Sequence, residues 1–371
     1  MTSNAGAGRP PRRFLGRIGL IAGSIMVGLM AGGGPALAQD LVIDGEKIAD
    51  AALLRAAKAE GSLLVYTANF EDSERPLLER FQQDTGVKAE MIRLATGRLF
   101  ERVMTEFSGK KLQADIVGLT DTELQDRLVA AGVLVPHEVP SAGVIPAALK
   151  EPRGYYYAMN RFPAVLGYNT KAWSKDQAPK SWKATLDPKF KGQVGIVAAA
   201  IGGSSWSVAL FQRKVVDPQF WEKQAANEPR IYTSSAPLSD DVVRGEVTVG
   251  TVQMGLVRNL AKVGAPIALH FPSEGAPTVA SVVGATSVAA HPNAAKLYLN
   301  WVTSKRGGRF ITEFFADYAT HPGVPPPDLS RYGIDVPPAD RLWMADPADS
   351  RALRDKWVVE WDQVYRGKKG R

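Results

Sequence analysis

Cysteine is absent from all 371 residues. Disulfides, thiolate nucleophiles and cysteine-ligated metals are excluded together. Histidine is scarce: His137, His270, His291 and His321 are the only four, and they are scattered. No H-x-x-x-H spacing or carboxylate pairing accompanies them, so structural roles and no metal site are expected. The sequence offers no nucleophile–base or paired-carboxylate constellation for a hydrolase. A long apolar span is missing as well. The longest run, Ile18 to Met30, is shorter than the ~20 residues a spanning helix needs. Charge of one sign is weak, with 45 Lys+Arg against 38 Asp+Glu. The aromatics form no platform interleaved with basic residues, so nucleic acid is not an expected partner.

What the N-terminus does contain is a graded pattern. Arg9, Arg12, Arg13 and Arg17 precede the apolar run, and small residues follow, ending Ala36-Leu37-Ala38 before Gln39. That is the order of an export signal with an A-x-A cleavage site, predicting a signal peptide over residues 1–38. The Arg12-Arg13 pair followed by Leu15 loosely fits a twin-arginine signal. No Ser or Thr precedes the pair and no Lys closes it, which favours ordinary secretion. Removing the four arginines leaves 41 basic residues against 38 acidic ones, a net of +3. A charge that small does not imply a polyanionic partner.

Beyond Gln39 the chain exceeds the usual size of a single core, and two lobes are expected. Short apolar runs alternate with amphipathic segments: a helix from Ile48 to Ala59, a strand Leu63–Thr67, a helix near Ser73 ended by Gly86, a strand Lys88–Leu94, a helix Gly97–Phe107 and a strand Asp115–Leu119. This βαβα order predicts a doubly wound α/β sheet. Tyr155 to Asn169 is long and extended, and reads as a crossover strand. A second βα series follows, and Ile267–Phe271 and Val279–Val283 carry the chain back. Helices are expected over Pro292–Trp301, Lys305–Tyr318 and Ala352–Tyr365, completing the first lobe. The expected division is 39–160 for the first part of lobe 1, 161–276 for lobe 2, and 277–371 for the return. The Pro-rich span between Pro322 and Pro338 reads as an extended wrap over the surface.

Ligands in such sheets sit in the loops after the strands. Gly202-Gly203-Ser204-Ser205 lies between a predicted strand and helix, where free N–H groups, the helix dipole and two hydroxyls suit an anion. Gly203, Ser204 and Ser205 are therefore candidate ligand-binding residues. Thr96-Gly97-Arg98 and Ser234-Ser235 form similar junctions, and Thr67, Asn69, Asp121 and Gln253 lie on other loop rims. Arg161, in the crossover, is either a carboxylate clamp or half of a structural ion pair. Asp121 and Glu274 offer carboxylates to an amine.

Several short stretches carry a resemblance when taken in order: Gly61-Ser62-Leu63-Leu64-Val65-Tyr66, Gln113-Ala114-Asp115-Ile116-Val117, Ala131-Gly132-Val133-Leu134, Leu166-Gly167-Tyr168-Asn169-Thr170, Pro179-Lys180-Ser181-Trp182, Leu186-Asp187-Pro188-Lys189-Phe190-Lys191-Gly192 and His291-Pro292-Asn293-Ala294-Ala295-Lys296. From about Gly61 to Phe315 the chain resembles the periplasmic solute-binding proteins of ABC importers, in the branch with ferric-ion, thiamine, phosphonate and polyamine binders. The resemblance implies a two-lobed, hinge-closing α/β periplasmic-binding-protein fold of the type II kind, a monomer, no cofactor and no catalysis. It also implies a small-molecule ligand and a permease partner in the cytoplasmic membrane. Ferric binders of this family carry an adjacent tyrosine pair after the strand matching Val247 to Val252. Here the chain reads Gln253-Met254-Gly255, and Fe³⁺ prefers anionic oxygen ligands. The family's small-residue loop survives at Ser204 and Ser205, which favours an organic anion or zwitterion over ferric iron. A sensor subunit with the same binding chemistry and an exported hydrolase are the competing expectations.

Export is checked by intact-mass analysis of periplasmic protein: the expected N-terminus is Gln39, and an uncleaved Met1 product contradicts it.

Overall fold

Asp44-Gly45 forms a hairpin turn near the start of the described residues. In the computed structural model, which describes residues 39–367, the two residues have φ of 53° and 75° and join β1 (Leu41–Ile43) to β2 (Glu46–Ala49). Asp-Gly is among the few pairs that tolerate two consecutive left-handed residues. The helix expected from Ile48 therefore starts later, as α1 (Ala51–Glu60), where Asp50 accepts from the Leu53 N–H and Gly61 ends the helix at φ 78°. The predicted signal segment lies outside the described residues.

A parallel βα series follows: β3 (Ser62–Thr67), α2 (Glu71–Thr85), β4 (Lys88–Arg93), α3 (Thr96–Ser108), β5 (Ile116–Leu119), α4 (Thr122–Ala130) and the short β6 (Leu134–Val135). Alternation along β3 divides its side chains between two cores. Leu63 and Val65 meet Phe81, Tyr298 and Trp301 on one face, while Tyr66 meets Leu99, Phe100 and Leu128 on the other.

The crossover strand β7 runs Tyr157–Asn169. The second series comprises β8 (Val194–Val197), α5 (Gly203–Phe211), α6 (Phe220–Ala226), β9 (Arg230–Tyr232), α7 (Ser235–Arg244), β10 (Val249–Gln253), α8 (Met254–Lys262) and β11 (Ile267–His270). Return strand β12 (Ala276–Thr286) leads to α9 (Pro292–Val302), α10 (Lys305–Phe314), β13 (Tyr318–Ala319), β14 (Leu342–Met344) and α11 (Pro347–Arg366). The sheet order is β4-β3-β5-β12-β7-β10-β8-β9. β7 belongs to both halves: Tyr157 to Pro163 pair with β12, and Ala164 to Tyr168 pair with β10. The change of partner falls at Pro163/Ala164.

Two expectations are corrected. The helix read over Lys305–Tyr318 ends at Phe314, because Ala316 takes φ 56° and turns the chain into β13. The C-terminal helix does not complete the first lobe. Trp361 and Tyr365 of α11 are buried with Trp182, Phe211 and Trp221 in the core of the second series. The apolar stripe of α11 is matched by aromatic surface on α6: Trp357 meets Trp221 edge-on at 5.7 Å, and Arg213 lies over both rings.

Trp361 is 2% exposed. Truncation to alanine leaves a cavity too large to collapse, so Trp361→Ala is expected to destabilise the protein by about 3–5 kcal/mol in chemical denaturation. A change below about 1 kcal/mol contradicts the packing of α11 on this core.

Candidate functional site

A cavity of about 430 Å³ opens where the two series face each other. Its walls come from the ends of β3, β4, β5, β8, β9 and β10, and its floor from β7 and the segment after α10. Phe70, Phe162 and Phe315 supply apolar surface, and Asn69, Ser73, Thr96, Thr120, Asn160, Ser204, Ser205, Ser234, Ser235 and Gln253 supply polar groups. Among the described residues that line it, Arg93 is the only cation, Asp317 the only carboxylate, and there is no tyrosine or histidine.

Five helices, α2, α3, α5, α7 and α8, begin at this cavity, and none has a side-chain cap hydrogen bond at its N-cap. α2 carries Glu71, Asp72 and Glu74 in its first turn; the other four have no acidic residue there. Five helices that start elsewhere are closed by oxygen acceptors. Asp50, Asp121, Ser304 and Asp346 cap α1, α4, α10 and α11, and the Glu60 carboxylate takes the Asn293 and Ala294 N–H groups of α9. Free first-turn N–H groups and the positive ends of α3, α5, α7 and α8 are thus gathered on one space.

The structure brings together many of the residues expected from sequence and sets others apart. Asn69, Thr96, Gly203, Ser204, Ser205, Ser234, Ser235 and Gln253 line the cavity. Thr67 is buried behind it, where its Oγ1 accepts from the Asn69 N–H at 3.1 Å. Gly97 and Arg98 are exposed on α3 and outside the lining. Asp121 is occupied structurally, capping α4 and accepting from Arg354 at 2.8 Å. Glu274 is likewise committed to the Trp182 and Lys183 N–H groups, each at 3.0 Å.

Arg161 is not in the cavity lining, so the clamp placed there by the sequence reading is corrected. Side chains alternate along β7: Asn160 and Phe162 line the cavity, and Arg161 points to the other face. Its guanidinium lies over Tyr318, 6.0 Å from the ring centroid, and donates to the Ala319 carbonyl at 3.5 Å. The sequence reading passes over Asn160, Phe162, Arg93, Phe315 and Asp317. The signal for Asp317 was an acid inside the apolar run Phe314-Phe315-Ala316-Asp317-Tyr318, masked by the over-extended helix. Arg93 occupies the end of β4, reaching the Asn69 carbonyl at 3.3 Å and lying over Phe70.

Two buried carboxyls support the polar floor. Glu74 of α2 accepts from Asn69 Nδ2 at 2.7 Å, and burial pushes its carboxyl up to about 7. Asn69 is held from its other side by the Ser281 hydroxyl at 2.8 Å. Asp317 accepts from Asn160 Nδ2 at 2.6 Å, and burial pushes it up to about 8. At neutral pH Asp317 is therefore mainly uncharged in the unliganded protein and does not repel an anion in the cavity.

The tertiary fold also assembles a Ser-His-Asp arrangement that the scattered sequence positions conceal. Ser62 Oγ is 3.0 Å from His291 Nε2, and His291 Nδ1 is 2.9 Å from the fully buried Asp115. Asp115 also accepts from the Leu64 and His291 backbone N–H groups. The neighbouring helix-start N–H groups, which could hold an oxyanion, are filled by Glu60. The arrangement ties β3, β5 and α9 together.

Comparison with known proteins places the chain. Residues 63–315 match the bacterial extracellular solute-binding protein family. The chain belongs to this family. Its members bind solutes and do not catalyse reactions. An uncharacterised protein of Haemophilus influenzae is 27% identical over 68% of this chain and 75% of its own length. The major ferric iron-binding protein of Neisseria meningitidis serogroup B is 23% identical over 74% of this chain and 85% of its own. The periplasmic binding protein AfuA of Actinobacillus pleuropneumoniae, solved with fructose-6-phosphate, superposes with a TM-score of 0.68 at 19% identity, covering 82% of this chain and 99% of that one. The solute-binding protein therefore has the α/β periplasmic-binding-protein fold.

The buried carboxyls set a pH dependence. Both have folded-state pKa values raised above their ordinary 4.5 and 3.8, so their contribution to stability is complete below about pH 4. It is lost as pH rises through about 7 for Glu74 and about 8 for Asp317. Thermal denaturation of the unliganded protein is expected to show a midpoint that falls from pH 5 to pH 9. Glu74→Gln, which keeps the shape and hydrogen bonds, should flatten the part between pH 5 and pH 8, worth up to ~3 kcal/mol. An unchanged slope contradicts the assignment.

Proposed function

We propose that this solute-binding protein captures a small organic anion between its two halves by hinge closure and delivers it to an ABC permease in the cytoplasmic membrane. The observation that carries the reading is the convergence of four uncapped, acid-free helix starts on one cavity. Preorganised N–H donors hold an anion without a matching array of side-chain charges. Arg93 adds one cation at the rim, and the hydroxyls of Ser204, Ser234 and Ser235 add donors. AfuA, similar in fold, holds a sugar phosphate, a ligand of this chemistry.

Hinge motion is the family's general way of enclosing a solute, and Gly203 supports it here. A Cβ at that position would stand 2.5 Å from the Thr120 carbonyl, so only glycine lets the start of α5 approach the loop after β5. Export to the periplasm by ordinary secretion, and action as a monomer, complete the proposal.

Ferric iron is the ligand named for the Neisseria relative. The cavity residues here supply amides, hydroxyls and one raised carboxyl, a poor set for Fe³⁺. The test is a calorimetric screen of sugar phosphates, phosphonates and carboxylates, with ferric citrate alongside. Saturable anion binding is expected, weakened by about 1 kcal/mol in Arg93→Ala because that cation is solvent-screened. Ferric citrate should produce no visible tyrosinate-to-iron band. A strong band with sub-micromolar binding, and no response to the organic anions, overturns the proposal.

A further inference from the structure

The anion-holding groups account for the walls of the cavity and leave its floor unexplained. There Asn160 and Asp317 are bound to one another through Asn160 Nδ2 and Asp317 Oδ2. Asn160 is 2% exposed and Asp317 is 8% exposed, and both line the cavity. Asn160 Oδ1 is buried and has no hydrogen-bond partner. A buried carbonyl oxygen left unpaired costs free energy, and native proteins seldom tolerate one without a reason. With Nδ2 already committed, what Asn160 has left to offer is an acceptor oxygen.

Charge points the same way. Arg258, the cation whose field reaches Asp317, donates through Nη2 to the Phe314 carbonyl and forms no ion pair with the carboxylate. Among the described residues, Asp317 is thus a buried acid without an ion-pair partner. A ligand hydroxyl would pair with the acceptors and leave the acid neutral, whereas an ammonium would pair with them and also supply the positive charge that lets Asp317 ionise on binding. Phe162 and Phe315 flank the pair in the cavity lining, and aromatic faces suit a cation and its methylene stem.

We propose that Asn160 and Asp317 form an amine-binding subsite, so that the solute carries a primary ammonium group as well as the anionic group held by the helix starts. The inference rests on the anion reading above and narrows it to zwitterions. It separates this floor from the walls by chemistry: acceptors below, donors around.

Matched probes test it. Binding of O-phosphoethanolamine is compared with ethyl phosphate, and of β-alanine with propionate, by calorimetry at pH 7. The amine-bearing member of at least one pair is expected to bind about tenfold tighter or more, because it fills a buried charge partner. In Asp317→Asn, nearly isosteric with the uncharged acid, that preference should fall to within about threefold, while the amine-free member retains its affinity. The ratio within a pair is insensitive to a general loss of folding, and the wild-type comparison stands even if the variant fails to fold. Equal affinities within each pair, with the anions still binding, overturn the subsite and leave the anion reading intact. A preference that survives in Asp317→Asn also overturns it. If no probe of either pair binds to folded protein, both readings fall.

Discussion

One strand shared by both halves of the sheet governs this protein. β7 pairs with β12 through Pro163 and with β10 from Ala164 onward, so a single hydrogen-bond register sets both halves of the molecule against each other. Because side chains alternate along a strand, that register also decides which residues face the cavity. A shift of one residue would exchange Asn160 and Phe162 for Arg161 and convert a floor of amide and aromatic groups into a charged one. The second crossing, β12, is antiparallel to β7 and brings Ser281 up against Asn69. The two crossings fix the floor while leaving the walls to separate elements.

Those walls are arranged by an asymmetry in capping. At α1, α4, α10 and α11, carboxylates or a serine close the helix start; at α3, α5, α7 and α8, around the cavity, no N-cap side chain does. Each omitted cap forgoes stabilisation of roughly 1 kcal/mol, which the proposed anion would restore. Buried neutral carboxyls belong to the same logic. Glu74 holds Asn69 from behind and Asp317 holds Asn160, positioning amides without placing a permanent negative charge at the cavity.

Much of the fold was legible as local pattern. The βα alternation, the length of the crossover strand and the strand-to-helix junctions at Thr96, Ser204 and Ser234 follow from hydrophobic period and capping chemistry, which act over a few residues. The Asp44-Gly45 hairpin was legible too, and was missed because Ile48 fitted a helical period. The end of α10 was not legible: Ala316 takes a left-handed conformation that alanine does not favour, so nothing local announces the turn that delivers Phe315 and Asp317. The placement of α11 was equally hidden, since an amphipathic helix fits either lobe until the aromatic surface of α6 is in place.

By itself, then, the sequence determined the α/β class, the family and the chemistry of the small-residue loops, because these depend on short-range periodicity and on contiguous motifs. Tertiary structure alone decided which polar groups share one space. Arg161 turned away through strand register, Asp121 was taken by Arg354 from a helix more than two hundred residues later, and Asp317 came to Asn160 across 157 positions. Ser62, Asp115 and His291 formed a triad-like brace for the same reason. Contacts of that sequence separation are set by packing and by the demand that buried polar groups find partners. No window along the chain contains that information.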